Sequence, residues 1–120
     1  MKKVLVADDK PTSRELIRTV LEQIGFEVIE AGDGAEAVRH AHQHLPDLIV
    51  LDLHMPELDG FGVLKTLRGE ARFAATPIVA LTASAMQGDR ERALTAGFTS
   101  YIAKPISLSA LRAEIQALIK

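Results

Sequence analysis

The sequence contains no cysteine. That excludes a disulfide scaffold, a thiol nucleophile and a cysteine-ligated zinc site. Aromatic residues are sparse, one tyrosine and four phenylalanines in 120 residues. No apolar run approaches the roughly 18 residues of a membrane span. Met1-Lys2-Lys3 is followed by acid within a few residues and is not a signal peptide. Neither sign of charge dominates: 14 basic residues face 16 acidic ones, a net charge of −2. Such a balance provides no general attraction for nucleic acid or anionic membrane. What is present looks globular: 48% of residues are apolar and 25% charged, which argues against disorder. The length suits one domain, and a chain of this size buries roughly two thirds of its unfolded surface. The expectation is a soluble, cytoplasmic, single-domain protein spanning 1–120, with its function set by the placement of residues.

Two kinds of segment alternate. Short aliphatic runs are Val4-Leu5-Val6, Phe26-Glu27-Val28-Ile29, Leu48-Ile49-Val50-Leu51, Ile78-Val79-Ala80-Leu81 and Tyr101-Ile102. Longer stretches between them have helical spacing. Leu16, Ile17, Val20, Leu21 and Ile24 form one apolar face, and Leu108, Leu111, Ile115, Leu118 and Ile119 another. Pro11 suits a first helical turn, Gly25 and Gly97 suit helix C-termini, and Ser107 suits an N-cap. Five strand–helix units imply an α/β fold with a parallel sheet and right-handed crossovers. The run 48–51 is apolar on both faces, so helices cover both sides of the sheet. Ligands in such sheets gather beyond the carboxyl ends of the strands.

Those ends carry Asp8 and Asp9 after the first run, Asp52 after the third, Thr82 after the fourth, and Lys104 and Pro105 after the fifth. Solvent contact explains any one polar strand end. It explains poorly why three carboxylates and a lysine converge on one edge. Two unit charges about 4 Å apart repel by about 4 kcal/mol at an effective dielectric near 20. Three carboxylates are neutralised by one ammonium together with one divalent cation. A site of oxygen donors without sulfur suits Mg²⁺, which keeps several waters and leaves places for phosphate oxygens.

The ordered set Val6-Ala7-Asp8-Asp9, Leu51-Asp52-Leu53-His54-Met55-Pro56, Asp59-Gly60, Leu81-Thr82-Ala83 and Tyr101-Ile102-Ala103-Lys104-Pro105 resembles the receiver domain of two-component response regulators, the CheY-like family. CheY-like proteins are themselves among the folds whose ligands gather at that edge of the sheet. The resemblance covers essentially the whole chain. It implies a flavodoxin-like (βα)5 fold, a doubly wound parallel five-stranded sheet of order 2-1-3-4-5. It implies Asp52 as phosphoacceptor, Asp8 and Asp9 as the Mg²⁺-holding pair, and the backbone carbonyl of His54 as a further metal ligand. Thr82 becomes the switch hydroxyl, Lys104 the partner of the phosphoryl group, Pro105 the residue after a cis peptide bond, and Tyr101 an aromatic that reports on Thr82.

The implied function is that of a phosphorylation-activated signalling domain rather than an enzyme, assisting its own phosphorylation and dephosphorylation. A sensor histidine kinase or a histidine phosphotransfer protein donates the phosphoryl group. A downstream effector reads the helix at 88–96, the fifth strand and the last helix, with no direct contact to nucleic acid or membrane. A stand-alone regulator is expected. The alternative is a receiver excised from a hybrid kinase or a longer regulator, and Ala85-Met86-Gln87-Gly88-Asp89-Arg90 is similar both to receivers of hybrid kinases and to stand-alone cell-cycle regulators. Lys10 departs from the common pattern as an extra cation beside the acid pair. His54 and Ser84, each two residues past a site residue, are expected to tune how long the phosphoryl group survives.

Other residues have plainer readings. His40, His42 and His44 lack companions at zinc-site spacing and read as a solvated helix end. Asp89-Arg90-Glu91-Arg92 reads as a solvated helix face, with a second reading as partner surface. Met55-Pro56 and Asp59-Gly60 read as shaping the loop after Asp52. A flavin-binding reading fails because Asp8 and Asp9 would repel the flavin phosphate and no aromatic is placed to sandwich the ring. An aspartyl phosphohydrolase of the haloacid dehalogenase type would carry a second aspartate where His54 stands.

Overall fold

Five short aliphatic segments pair into one parallel sheet of order β2-β1-β3-β4-β5. The computed structural model describes residues 1–83 and 87–119, so Ser84 and the stretch 84–86 lie outside the described residues. The elements follow as β1 (Lys3–Ala7), α1 (Pro11–Gln23), β2 (Glu27–Ala31), α2 (Gly34–His44), β3 (Leu48–Asp52), α3 (Gly60–Arg68), β4 (Ile78–Thr82), α4 (Gln87–Ala96), β5 (Ser100–Ala103) and α5 (Leu108–Leu118). This is the expected (βα)5 architecture. A one-turn 3₁₀ helix at Ala71–Phe73, absent from the sequence reading, buries Phe73.

Period-two alternation divides the strand side chains between two apolar layers. Val4, Val6, Leu48, Val50, Val79 and Leu81 meet Ile17, Val20 and Leu21 of α1 and Leu111 and Ile115 of α5. Leu5, Ala7, Ile49, Leu51, Ile78 and Ala80 meet α2, α3 and Ala93 of α4. All five residues of β3 are buried, as expected for a central strand covered on both sides. No helix of the described residues is long and apolar enough to cross a membrane.

Local signals explain most of the boundaries. Pro11 opens α1, and Ser107 caps α5 by accepting from the Ala110 N–H at 3.3 Å. Gly25 and Gly97 adopt φ of 96° and 120° just past α1 and α4, a left-handed region that favours glycine. Asp33 caps α2 by accepting from the Glu36 N–H, while the Glu36 carboxylate reaches back to the Gly32 N–H.

Three expectations need correction. Leu16 and Leu108 are exposed, at 43% and 42%. Leu16 lies about 100° around the helix from Ile17 and falls outside the buried stripe. Leu108 is the first residue of α5, one turn before buried Leu111. Asp59-Gly60 is a helix start rather than a free turn: Asp59 accepts from the Gly62 N–H at 2.9 Å and caps α3. The strands also run one or two residues further than the aliphatic runs, so Asp52 and Thr82 end their strands instead of following them.

Candidate functional site

Parallel pairing brings the strand ends to one edge. The register sets Ala7 beside Leu51, Asp52 beside Leu81 and Thr82 beside Ala103. Backbone bonds carry the ladder into the residues beyond. The Asp8 N–H donates to the Ala31 carbonyl, Leu53 to that of Leu81, and Lys104 to that of Thr82. Asp8, Asp52, Thr82 and Lys104 therefore occupy positions fixed by main chain.

Asp8 and Thr82 are fully buried and Asp52 is 4% exposed. Buried carboxylates require partners. Lys104 Nζ donates to Asp8 Oδ2 at 2.8 Å and to Asp52 Oδ2 at 3.0 Å. The second oxygen of each acid accepts from backbone: Asp8 Oδ1 from Lys10 N–H at 2.9 Å, Asp52 Oδ1 from His54 N–H at 3.1 Å. The Lys104–Pro105 peptide bond is cis. Asp9 is exposed. One oxygen from each of Asp8, Asp9 and Asp52 lies within 4.8 Å of the others.

Burial pushes the Asp52 carboxyl above its ordinary range, and the nearby Asp8 charge adds to this. The His54 N–H and Lys104 oppose the shift without cancelling it. For Lys104, burial alone would lower the ammonium. Its hydrogen bonds and charge interactions with Asp8 and Asp52 outweigh that, and the net shift is upward. Three carboxylates and one ammonium leave two negative charges. The donors are hard oxygens at an open edge, the chemistry that a hydrated Mg²⁺ prefers.

The structure brings Asp8, Asp9, Asp52 and Lys104 together. Thr82 stands on the adjacent strand, and its hydroxyl donates to Asp89 Oδ2 of α4 at 3.4 Å. Tyr101 is half-buried and pairs with Ala80, two residues back from the edge. With Arg90, Leu94, Thr99, Ser100 and Glu114 it lines a groove of about 430 Å³. The His54 side chain is exposed.

The charged run in α4 is more than a solvated face. Asp89 is half-buried against Thr82, and the Arg92 guanidinium lies 4.9 Å from the Phe61 ring centre. The histidines of α2 are also more engaged than a solvated end. His42 Nε2 lies 2.6 Å from Glu70 Oε2, and His40 Nδ1 lies 3.1 Å from the Glu30 carbonyl oxygen. Sequence reading missed Arg14, which donates to the Asp8 carbonyl at 2.7 Å and to Glu30 Oε1 at 3.2 Å. Its place on the first turn of the helix after the acid pair puts it near the site, but nothing in the sequence says that it turns toward the Asp8 carbonyl.

A family model described as the response regulator receiver domain matches residues 4–116. The chain belongs to that family. This receiver domain is 39% identical over 107 residues to the polar-differentiation response regulator DivK of Brucella anthropi, covering 89% of this chain and 87% of that one. It is 40% identical over 118 residues to a probable transcriptional regulator, ycf27, of Guillardia theta. There it covers 98% of this chain but only 45% of the longer protein. Among solved structures it superposes on the receiver domain of the sensor histidine kinase PA1611 of Pseudomonas aeruginosa. That match has a TM-score of 0.90 at 36% identity and covers 98% of this chain and 97% of the other. The PA1611 crystal structure holds a magnesium ion in its active-site cleft. Receiver domains are signalling modules of two-component systems that work with histidine kinases and effectors, and they typically bind Mg²⁺ at an acidic site.

Proposed function

We propose that this receiver accepts a phosphoryl group on Asp52. The supporting observation is the cage around that carboxylate, with Lys104 on one oxygen and the His54 N–H on the other, beside a second buried acid. Phosphoryl transfer depends on positioning and charge neutralisation more than on covalent assistance. Asp8, Asp9 and Asp52, with the His54 backbone carbonyl, would hold Mg²⁺. When bound, the ion neutralises charge on the carboxylates and on phosphoryl oxygens. Lys104 keeps Asp52 in place and remains available to the incoming group. A carboxylate oxygen of Asp52 attacks phosphorus, the bond to the donor's imidazole nitrogen breaks, and the imidazole leaves. The phosphorylated side chain carries more negative charge than the carboxylate it replaces.

That charge draws the Thr82 hydroxyl toward Asp52 and away from Asp89. Tyr101 and the α4–β5–α5 face then change conformation, and a downstream effector reads the change. The donor is a sensor histidine kinase or a histidine phosphotransfer protein, and neither nucleic acid nor membrane is a direct partner. In this reading 1–120 is one receiver unit, acting alone in the cytoplasm as a phosphoacceptor rather than an enzyme. The second reading is a receiver within a hybrid kinase or a longer regulator, favoured by the likeness to PA1611 and to ycf27. Whether the reading frame extends beyond 1–120 at either end decides between them.

The test is labelling by a small phosphodonor with and without Mg²⁺, comparing wild type with Asp52→Asn. Labelling that requires both the metal and Asp52 is expected. Metal-independent labelling, or undiminished labelling of the variant, overturns the proposal.

A further inference from the structure

Asp8 and Asp52 are held by their side chains, but Asp9 is not. Among the described residues the Asp9 carboxylate makes no hydrogen bond and no ion pair, yet one of its oxygens lies within 4.8 Å of those of Asp8 and Asp52. With no side-chain partner to hold it, its starting point is set by the backbone, which fixes the Cα–Cβ direction. The peptide that joins Asp8 to Asp9 is gripped by Arg14, whose Nη1 donates to the Asp8 carbonyl at 2.7 Å. The other side of the guanidinium is anchored. Arg14 Nε donates to Glu30 Oε1 at 3.2 Å, and Arg18 holds the second oxygen of Glu30 at 2.7 Å. Arg14 is only 20% exposed. A planar guanidinium holds its donors in a rigid fork and so fixes the angle between a carboxylate and a carbonyl, which the compact, freely rotating ammonium of a lysine does not.

We propose that Arg14 is a positioning residue for the metal pocket, clamping the Asp8–Asp9 peptide so that the free Asp9 carboxylate faces the ion. Glu30 is the anchor that holds the clamp. The inference rests on the metal reading given above. A cation close to a Mg²⁺ site should weaken binding by repulsion, so its removal should tighten binding if charge were its only effect. As a clamp, its removal should loosen binding.

The test is Mg²⁺ titration calorimetry on the unphosphorylated protein, with Arg14→Ala, Arg14→Lys, Glu30→Gln and Asp9→Asn. Partners that orient metal ligands typically contribute 10–100-fold in metal affinity. Both Arg14 variants are expected to bind Mg²⁺ about tenfold more weakly, Lys included, with a smaller loss for Glu30→Gln. The Asp9 amide resonance should shift in metal-free Arg14→Lys, which retains the charge and reports on the peptide alone. Wild-type affinity in Arg14→Lys, or unchanged or tighter binding in Arg14→Ala, overturns the clamp. If Asp9→Asn loses Mg²⁺ while both Arg14 variants keep it, only the clamp falls. If Asp9→Asn binds as well as wild type, the metal reading fails and takes the clamp with it.

Discussion

Burial raises the proton affinity of the Asp52 carboxyl, and this has a consequence for stability. The folded protein holds that proton more tightly than the unfolded chain, whose carboxyl titrates near 3.8. As pH rises from that value through the raised folded one, the contribution to stability is lost, and it stays lost at neutrality. An asparagine at this position carries no such cost. Asp52→Asn is therefore expected to melt higher than wild type at pH 7 in metal-free buffer, with the gap closing below about pH 4. Thermal melts across that range check it, and an equal or lower melting temperature at pH 7 contradicts it. At this scale Asp8, Asp9, Asp52 and Lys104 were readable in advance because strand ends translate directly into places at a sheet edge. Arg14 and Asp89 were not. Each acts from a helix through a contact whose partner lies on another element, and helical spacing alone does not reveal it.

One helix, α3, meets the site through a close backbone approach. A Cβ on Gly60, the first residue of α3, would lie 2.5 Å from the Asp52 carbonyl oxygen and 2.9 Å from Leu53 Cα. Neither atom can yield without moving the end of β3. A Cβ on Gly88 in α4 would meet nothing within 4 Å. The same substitution should thus have opposite effects. Gly60→Ala is expected to cost about 2 kcal/mol or more and to reduce labelling of Asp52. Gly88→Ala should stabilise by about 0.5 kcal/mol through improved helix propensity. Urea denaturation of both variants checks the signs. Apolar periodicity revealed α1 and α5, with Pro11 and Ser107 marking their starts, while the three helices between them followed from the alternation of strand and helix segments. The role of Asp59-Gly60 was obscured because Asp-Gly also signals a turn, and only the packing of α3 on β3 separates the two outcomes. The 3₁₀ helix at Ala71–Phe73 is too short to leave a periodic pattern.

Across the whole molecule the two edges of the sheet are built differently. The carboxyl edge holds Lys104 over two acids. Near the opposite edge Arg68 donates to the carbonyls of Phe73 at 2.7 Å and Thr76 at 2.8 Å, just before β4. It also donates to the Gly97 carbonyl at 3.2 Å and to Thr99 Oγ1 at 3.3 Å, just before β5. Burial lowers its proton affinity, but a guanidinium remains charged at any ordinary pH. Arg68→Ala is expected to lose about 2 kcal/mol of stability, from charged hydrogen bonds to carbonyls, while leaving Asp52 labelling intact at temperatures where it is folded. Lost labelling with unchanged stability would show that the two edges are not separate. Alternation of strands and helices was sufficient to infer a parallel sheet covered on both faces. The strand order needed the family resemblance, because no local pattern says which strand turns back beside β1.

Asp52 and Thr82 are the last residues of neighbouring strands, and Lys104 follows the third in line. Parallel strands lie about 4.8 Å apart, so that spacing determines the width of the pocket more than any loop length does. The outward faces of the helices contribute little to that dimension. Their sequences can drift without retuning the chemistry at the edge. Such a scaffold separates two evolutionary problems. One is to keep a reactive socket of constant gauge, and the other is to write a different address on the helices around it.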